Sequence, residues 1–322
     1  MKFIKILLIF LVLNSCVKQE KVEVEIPVYR FDKDLFTIDS NNYDDKVNDW
    51  DSKLPEFYDY YLRHHINMQY TNDSVRKSNV LLFTSHPDVI SFQKNIDKKF
   101  ENVKYIEEKF NIAFSRYLEL FPDSTIPKKI IFNNSFNSYA VDVFKENLLI
   151  GLDFYLAESH PAVNIWKYLK VRYDEKFMMA DVMEYWITSM FINKNNPSNF
   201  QENLIFKGKI MFLIKTILNE EDDIVFRFPE EDMNWCEINE SNIWNEIISL
   251  DIMYNKDYKS YSTFFSDSPF TKGMPKESPG RLGYWVGYKI IESYMNNNRV
   301  SLSELMKNDN SQEILLQSKY KP

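Results

Sequence analysis

Apolar residues recur at steps of three and four along most of this chain, a spacing that predicts amphipathic helices. The predicted helices are Leu54–Met68, Asn95–Phe121, Asn164–Tyr173, Lys176–Asn193, Phe200–Leu218 and Glu237–Tyr254. Asn95–Phe121 is the longest periodic segment, and Pro122 follows it directly and should end it. The spacing therefore predicts a mostly helical protein.

Alternation of apolar and polar residues predicts a few short strands between the helices. Val22–Val28 alternates in this way, and Pro27 favours the edge of a sheet. The other predicted strands are Ile130–Phe132, Tyr139–Phe144 and Leu148–Leu152. The asparagine-rich segment Asn133–Asn137 could bind a ligand, but we interpret it as a turn. We therefore expect an α+β fold, in which residues 22–322 form one mostly helical domain with a small sheet.

The stretch Pro279–Met295 contains three of the six glycines of the chain. Pro279–Gly280 predicts a turn that begins a helix, and Arg281 follows in that turn. Gly283 and Gly287 lie four residues apart, so they share one face of this helix and allow another backbone to approach closely. A phosphate-binding loop is excluded, because the stretch has neither a GxGxxG pattern nor Gly-Lys-Ser/Thr. We expect a buried helix that packs tightly against another helix.

The N-terminus has the pattern of a bacterial lipoprotein signal. A short positively charged start leads into the apolar run Phe3–Leu13, and a small residue then precedes Cys16. The run is shorter than the roughly twenty apolar residues that span a bilayer, so residues 1–15 are predicted to be a cleaved signal peptide. Cys16 would then carry lipid, including palmitate, and residues 16–21 would form a tether. An ordinary signal with an incidental cysteine is the weaker alternative.

The same pattern predicts where the protein resides and what it does not bind. We expect a lipid-anchored protein of the cell envelope that faces the periplasm, with the outer membrane favoured over the inner. A net charge of −8 argues against nucleic acid as a partner. The 44% of hydrophobic residues suffices for a packed core and excludes a disordered chain. Lipid on Cys16 would leave Cys236 without a disulfide partner, and we interpret Cys236 as buried and inert.

The four histidines do not suggest a metal site. No two of them are spaced four residues apart, and the chain has no HExxH pattern. His64 and His65 would point to different faces of a helix, which predicts His64 beside an aromatic stripe and His65 in solvent. At His86 we expect a helix to begin, with Asp88 at or near its cap. We expect neither a metal nor a cofactor.

Other catalytic patterns are missing as well. The chain has no GxSxG nucleophile elbow. Asp222-Asp223 and Glu230-Glu231-Asp232 are acidic runs, which we interpret as solvated loops rather than as glycosidase carboxylates. The many aromatic residues raise the alternative of a sugar-binding face, yet most of them fall on the apolar faces of predicted helices. The residues alone thus predict a lipid-anchored globular domain without an identified activity.

Several short motifs together resemble one known family. They are Arg30-Phe31-Asp32, Asp34-Leu35-Phe36, Ile150–Leu156, Trp235-Cys236, Pro269-Phe270 and Pro279–Gly287. With the lipoprotein signal they are similar to the gliding-motility lipoprotein GldB family of Bacteroidetes, over essentially the whole chain. The resemblance implies a non-enzymatic component needed by the cell-surface gliding machinery, which is linked to type IX secretion. Its partners would be other gliding or type IX secretion proteins of the envelope.

A second resemblance is to predicted zinc peptidases with a HEYxH helix and a later Glu-Gly motif. Glu184 matches the glutamate of that helix, but Met183 and Ile187 replace both histidines. Lys207 stands where the third ligand would be, and its ammonium is expected near Glu184. The resemblance implies a degenerate zincin-like fold, and thus a pseudoenzyme that cannot hold zinc. The alternative is an accidental similarity, in which a stripe of core residues occupies one helix face: Met179, Met183, Trp186 and Met190.

Three functional hypotheses follow. The first is a non-catalytic lipoprotein required for gliding motility that acts by protein contact. The second is an envelope hydrolase derived from a zinc peptidase, with a nonstandard site at Glu184. The third, suggested only by the aromatic content, is a glycan-binding surface lipoprotein. Replacement of Glu184 by glutamine is expected to abolish the function of the hydrolase and to be tolerated by a scaffold.

Overall fold

The computed structural model describes residues 22–157 and 166–322, which are mostly helical around a small sheet. The helices are α1 (Phe31–Asp34), α2 (Tyr43–Lys53), α3 (Phe57–Tyr60), α4 (Asp73–Ser85), α5 (Pro87–Lys99), α6 (Lys104–Leu120), α7 (Lys167–Lys170), α8 (Met178–Asn195), α9 (Phe200–Leu218), α10 (Asp222–Phe226), α11 (Glu230–Ile238), α12 (Glu240–Ser249), α13 (Tyr258–Tyr261), α14 (Leu282–Asn297), α15 (Leu302–Lys307) and α16 (Ser311–Ser318). The strands are β1 (Val28–Arg30), β2 (Lys129–Asn133), β3 (Val141–Phe144) and β4 (Asn147–Gly151). The predicted α+β class is confirmed. The predicted signal peptide 1–15, Cys16 and the tether 16–21 lie outside the described residues.

The strands form one four-stranded mixed sheet in the order β1-β2-β4-β3. β2 pairs in parallel with β1 and with β4, whereas β3 is antiparallel to β4. Alternate residues serve opposite faces: Ile130 and Leu148 lie in the main core, while Ile131 and Leu149 pack against an aromatic cluster around Phe31. The strands predicted after residue 129 are therefore confirmed, and both faces of the sheet are covered.

Only the C-terminal end of the predicted strand Val22–Val28 pairs as a strand, within β1 at the edge of the sheet. Upstream, the backbone N–H of Val24 donates to Ser115 Oγ at 3.1 Å, and that of Ile26 donates to Asn111 Oδ1 at 3.0 Å. Both acceptors are side chains of α6. Because they satisfy these backbone donors, the alternating segment needs no partner strand.

The predicted helix Asn95–Phe121 is wrong as a single element, because α5 and α6 are separate helices. Phe100 and Val103 lie between them and are both buried, so the apolar period continues across the break. Asn102 Oδ1 accepts a hydrogen bond from the backbone N–H of Lys104 at 2.9 Å. This local bond competes with the helical one, as asparagine side chains often do.

Lys176–Asn193 and Phe200–Leu218 are confirmed in substance as α8 and α9. The predicted helix Asn164–Tyr173 begins outside the described residues, and its described part is α7 followed by a 3₁₀ turn. Glu237–Tyr254 is split between α11 and α12 near Asn239.

The interpretation of the acidic runs as solvated loops is wrong. Asp222-Asp223 occupies the first turn of α10, and Glu230-Glu231-Asp232 occupies that of α11. Carboxylates are favoured there because the N-terminus of a helix carries partial positive charge. These acids therefore start helices.

The glycine-rich helix is confirmed as a helix that packs tightly against another helix, since α14 crosses α9 in close contact. A Cβ on Gly287 would lie 2.1 Å from the carbonyl oxygen of Leu204, and one on Gly208 would lie 2.2 Å from that of Gly287. Gly283 is equally confined, by Phe265. The two backbones touch, and only glycine fits at their crossing.

The turn before α14 is also as predicted. A Cβ on Gly280 would lie 2.4 Å from the carbonyl oxygen of Ser268, so this turn is pressed against a neighbouring loop. Arg281 follows with a left-handed backbone, φ +60°, and its side chain is buried. The turn therefore aims a guanidinium group into the interior, which turn chemistry alone did not predict.

Candidate functional site

A concavity with a volume of about 790 Å³ lies where α8, α9 and the start of α14 meet. We call it the Glu184 cavity. Its lining includes Tyr139, Phe154, Arg172, Tyr173, Asp181, Glu184, Thr188, Lys207, Phe265, Asp267, Arg281 and Tyr284. A second concavity of about 490 Å³ shares Arg172, Asp267 and Arg281 with it. The site therefore combines aromatic walls with a dense group of charges.

Glu184 is the centre of this charge group, and its side chain is 15% exposed. Its Oε1 accepts a hydrogen bond from Tyr284 Oη at 2.8 Å and lies 3.4 Å from Lys207 Nζ. Its Oε2 lies 3.1 Å from Arg281 Nη2 and also accepts from Arg227 Nη2. One carboxylate thus ties α8 to α9, to the residue after α10, and to the start of α14.

Asp181, one turn before Glu184 on α8, forms a second centre. Its Oδ1 accepts from Arg172 Nη2 at 2.9 Å and lies 3.3 Å from Arg227 Nε, and its Oδ2 accepts from Tyr155 Oη at 3.2 Å. Arg227 therefore bridges both carboxylates of α8. Its side chain is 0% exposed, so its charge depends on these partners.

Asp267 contributes the third carboxylate from the loop before the glycine-rich turn. Its Oδ1 lies 3.8 Å from Arg172 Nε and 3.7 Å from Arg281 Nε. Burial alone would raise the pKa of Asp267, but the nearby guanidinium groups, Arg172 first, hold the pKa below its usual value. Asp267 is therefore ionised at neutral pH.

The pKa of Tyr284 reflects the charges that surround its phenol in the cavity. Burial alone would raise the pKa of its phenol, yet Lys207 and then Arg281 outweigh burial and lower the pKa to about 8. The guanidinium of Arg281 lies 4.3 Å from the ring centroid, and Lys207 Nζ lies 5.0 Å from it. Positive charge therefore dominates around this ring.

The prediction for His65 is wrong, since it does not face solvent, whereas the ring of His64 lies 4.7 Å from that of Tyr60, beside an aromatic side chain as predicted. His65 is buried and His64 is exposed. Residues Tyr61–His65 form a π-helical turn, which adds a residue to the turn and shifts the side chains around the helix axis. His65 Nε2 lies 3.3 Å from Asp142 Oδ2, which also accepts from Tyr60 Oη at 2.6 Å.

The Asn133–Asn137 segment is a turn, as predicted, but a buried one. Asn133, Asn134 and Ser135 are all buried. Asp153 accepts hydrogen bonds from the backbone N–H groups of Ser135 and Asn137, both at 2.7 Å. The asparagine-rich sequence therefore serves to hold this turn against the end of β4.

The residues aligned with the zinc helix lie in two different environments, the core and the Glu184 cavity. Met183 is 0% exposed and lies in the core, as the core-stripe interpretation predicts, and Ile187, at the other histidine position, is also 0% exposed. Glu184 and Lys207 do meet in the cavity, as the alignment predicted. Within residues 22–157 and 166–322, no three His, Cys, Asp or Glu side chains are grouped so as to hold a metal ion.

The ion pairs of Glu184 argue against the expectation that a scaffold would tolerate Glu184→Gln. The substitution removes the counter-charge of buried cations and keeps the cations, which is among the costly changes in a protein interior. Loss of function in this variant would therefore not by itself indicate acid-base chemistry. A measurement of stability must accompany it.

Most of the charge group was not predicted from sequence: Arg172, Asp181, Arg227, Asp267 and Tyr284. Two signals existed. Asp181 precedes Glu184 by three residues on a predicted helix, which puts both on one face. Arg227 stands between Phe226 and Phe228, an apolar context in which an arginine requires a partner.

Cys236 is buried, as predicted, and lies in α11. Burial, followed by nearby carboxylates, raises the pKa of its thiol far above the usual value, so the thiol stays protonated. It lies outside the lining of the Glu184 cavity.

Fold and site together define a mostly helical α+β fold in which a group of charges joins several helices around one cavity. The chain belongs to the gliding motility protein GldB family, whose model matches residues 14–322. No curated protein and no solved structure matches the chain. Membership assigns the chain a role in gliding motility and, since the family consists of lipoproteins, an association with the cell envelope. Within the described residues, no helix is long and apolar enough to cross a membrane.

Proposed function

We propose that this chain is a non-catalytic lipoprotein that supports gliding motility by contacting other envelope proteins, among them components of the gliding and type IX secretion apparatus. Family membership supports the cellular role. The observation that supports a non-catalytic role is the hydrogen bonding of the Glu184 carboxylate. Both of its carboxylate oxygens already have donors, supplied by three separate segments of the chain.

A general base needs a free lone pair directed at the proton that it removes. Arg281 and Arg227 donate to one oxygen of Glu184, while Tyr284 and Lys207 donate to the other. Withdrawing the carboxylate toward a substrate would leave buried cations uncompensated. The arrangement favours a carboxylate that holds helices together.

The proposal extends to ancestry. A degenerate zincin-like fold would account for a glutamate kept at position 184 while Met183 and Ile187 fill the core. Lys207 would then stand in for the lost cation beside Glu184. On this view the chain is a pseudoenzyme.

The anchor is part of the same proposal. Cleavage after residue 15 would expose Cys16 for acylation, including palmitate, and the tether 16–21 is short, so the domain would lie close to its membrane. We place it at the periplasmic face of the outer membrane. Labelling with a palmitate analogue should mark the wild type and spare Cys16→Ser; label retained by Cys16→Ser would refute acylation at this residue.

Partner contact is tested by crosslinking in living gliding cells, with an affinity tag after Pro322 and an untagged strain as control. We expect specific recovery of gliding or type IX secretion proteins. Recovery of none under several crosslinking conditions would refute the proposal. A hydrolytic activity that requires Glu184 would favour the hydrolase instead, and retention on envelope polysaccharides would favour the glycan-binding alternative.

A further inference from the structure

The Glu184 cavity has the dimensions and walls of a small-molecule site. Its volume of about 790 Å³ lies within the usual range of about 300–1,000 Å³ for ligand pockets. Aromatic side chains form much of its wall: Tyr139, Phe154, Tyr173, Phe265 and Tyr284. Such walls favour a ligand with an apolar or planar body that also carries a group complementary to the charges of the site.

The charge group around Glu184 has an excess of positive charge: three cations and three carboxylates line the cavity, and a fourth cation, Arg227, lies buried behind the lining. Among the described residues of the group, four cationic side chains face three carboxylates: Arg172, Lys207, Arg227 and Arg281 against Asp181, Glu184 and Asp267. The chain as a whole carries a net charge of −8, so this excess is local. The lowered pKa of Tyr284 is consistent with it. A concave site with this charge attracts anions.

Arg172 is the cation whose hydrogen-bonding capacity is least used. Its Nη2 donates to Asp181, but within the described structure neither Nη1 nor Nε has a hydrogen-bond acceptor, although both atoms are buried. Asp267 is too distant, at 3.8 Å from Nε, for a good hydrogen bond. Thr188, also in the cavity lining, has a buried hydroxyl without a partner in the same residues.

Buried polar groups in native proteins are nearly always satisfied, by protein, water or ligand. Arg172 and Thr188 lie in the lining of one cavity, next to a charge group that has one more cation than carboxylates. We propose that the Glu184 cavity binds a small organic anion, one carboxylate or phosphate group on an apolar or planar body, with Arg172 as its principal anchor. Asp181 and Glu184 hold the other cations in place. This inference goes beyond contact with envelope proteins and does not depend on it.

Calorimetric titration of the full-length protein in detergent tests the site with four probes. Phenyl phosphate and benzoate carry the two candidate anionic groups, inorganic phosphate lacks the body, and benzyl alcohol lacks the charge. We expect saturable binding of at least one aromatic anion and at least tenfold weaker binding of benzyl alcohol and inorganic phosphate. The stronger of the two aromatic anions identifies the preferred group.

Arg172→Gln should weaken that binding by about ten- to a hundredfold, the usual cost of losing a hydrogen bond to a charged group. Arg76→Gln is the matched control, because Arg76 has 18% side-chain exposure against 17% for Arg172 and lies on α4, outside this cavity. It should bind as the wild type does. Circular dichroism must show that both variants are folded.

Should Arg172→Gln not fold, Thr188→Val offers a near-isosteric second variant, and it should weaken binding by at least threefold. The proposal is overturned if neither aromatic anion binds at 10 mM. It is also overturned if benzyl alcohol binds equally well, or if the folded variant of Arg172, or of Thr188 in its place, binds like the wild type.

Discussion

Replacing Glu184 by glutamine changes one atom and removes the charge that three cations share. The side chain is 15% exposed, so the cations next to it gain little from solvent. Removing one partner from a buried ion pair typically costs about 3–5 kcal/mol, and the partial exposure argues for the lower end, about 3 kcal/mol. For a domain of this size that corresponds to a fall in melting temperature of roughly 6–12 °C.

The assay is denaturation of the full-length protein in detergent, followed by circular dichroism. Glu292→Gln is the control on α14: its side chain is 37% exposed and pairs with Lys289 at 3.1 Å. As an exposed pair it should contribute about 1 kcal/mol or less. A double-mutant cycle with Lys207→Met adds a check, because removing Lys207 should cost less once Glu184 is neutral.

A folded Glu184→Gln protein within about 0.5 kcal/mol of the wild type would refute this reasoning, since surface substitutions have effects of that size. The reasoning would also be refuted if the effects of Glu184→Gln and Lys207→Met on the free energy of unfolding were strictly additive. Either result would mean that the carboxylate is not holding the cations, and it would restore the hydrolase hypothesis.

Three further predictions follow from other parts of the structure. Gly287→Ala should cost about 2 kcal/mol or more in a urea titration, because its Cβ would meet the carbonyl oxygen of Leu204 at 2.1 Å; an unchanged midpoint would contradict the close crossing. The pKa of Tyr284 is lowered from 10.0 to about 8 in the folded protein. Between pH 8 and pH 10 the unfolded state therefore binds more protons, so the stability of the wild type should rise with pH over this range. Relative to Tyr284→Phe the gain should approach about 2–3 kcal/mol, and a difference independent of pH would refute the lowered pKa. The protein purified without chelator should contain no stoichiometric zinc and gain no stability from added zinc; either one would reopen the peptidase hypothesis.

The apolar periodicity of the sequence predicted those helices and strands whose backbone hydrogen bonds follow the regular pattern. The strands after residue 129 and helices α8 and α9 were predicted correctly because their runs of apolar residues match the buried faces of these elements. Prediction was wrong where a distant or local side chain replaced the expected backbone bond. Ser115 and Asn111 did so before β1, and Asn102 did so between α5 and α6.

The site was harder to predict than the fold, because its charges come from distant parts of the chain. Glu184 and Lys207 were singled out only through a family resemblance, and Arg281 only as part of a turn. The left-handed backbone of Arg281 directs its side chain inward, and no local pattern indicates which carboxylate it meets. Asp267 lies in a loop and Arg172 in a 3₁₀ turn, where the α-helical period carries no information about burial.

Whether Glu184 acts by holding the fold is tested most directly by gliding itself. Cells that carry Glu184→Gln, Lys207→Met or wild-type protein, at several expression levels, are scored for spreading against the amount of folded, membrane-associated protein. If the carboxylate is structural, all strains should fall on one curve, with motility set by the folded amount. A Glu184→Gln protein that is present and folded at wild-type levels, in cells that do not glide, would contradict the proposal and show that the carboxylate has a chemical role.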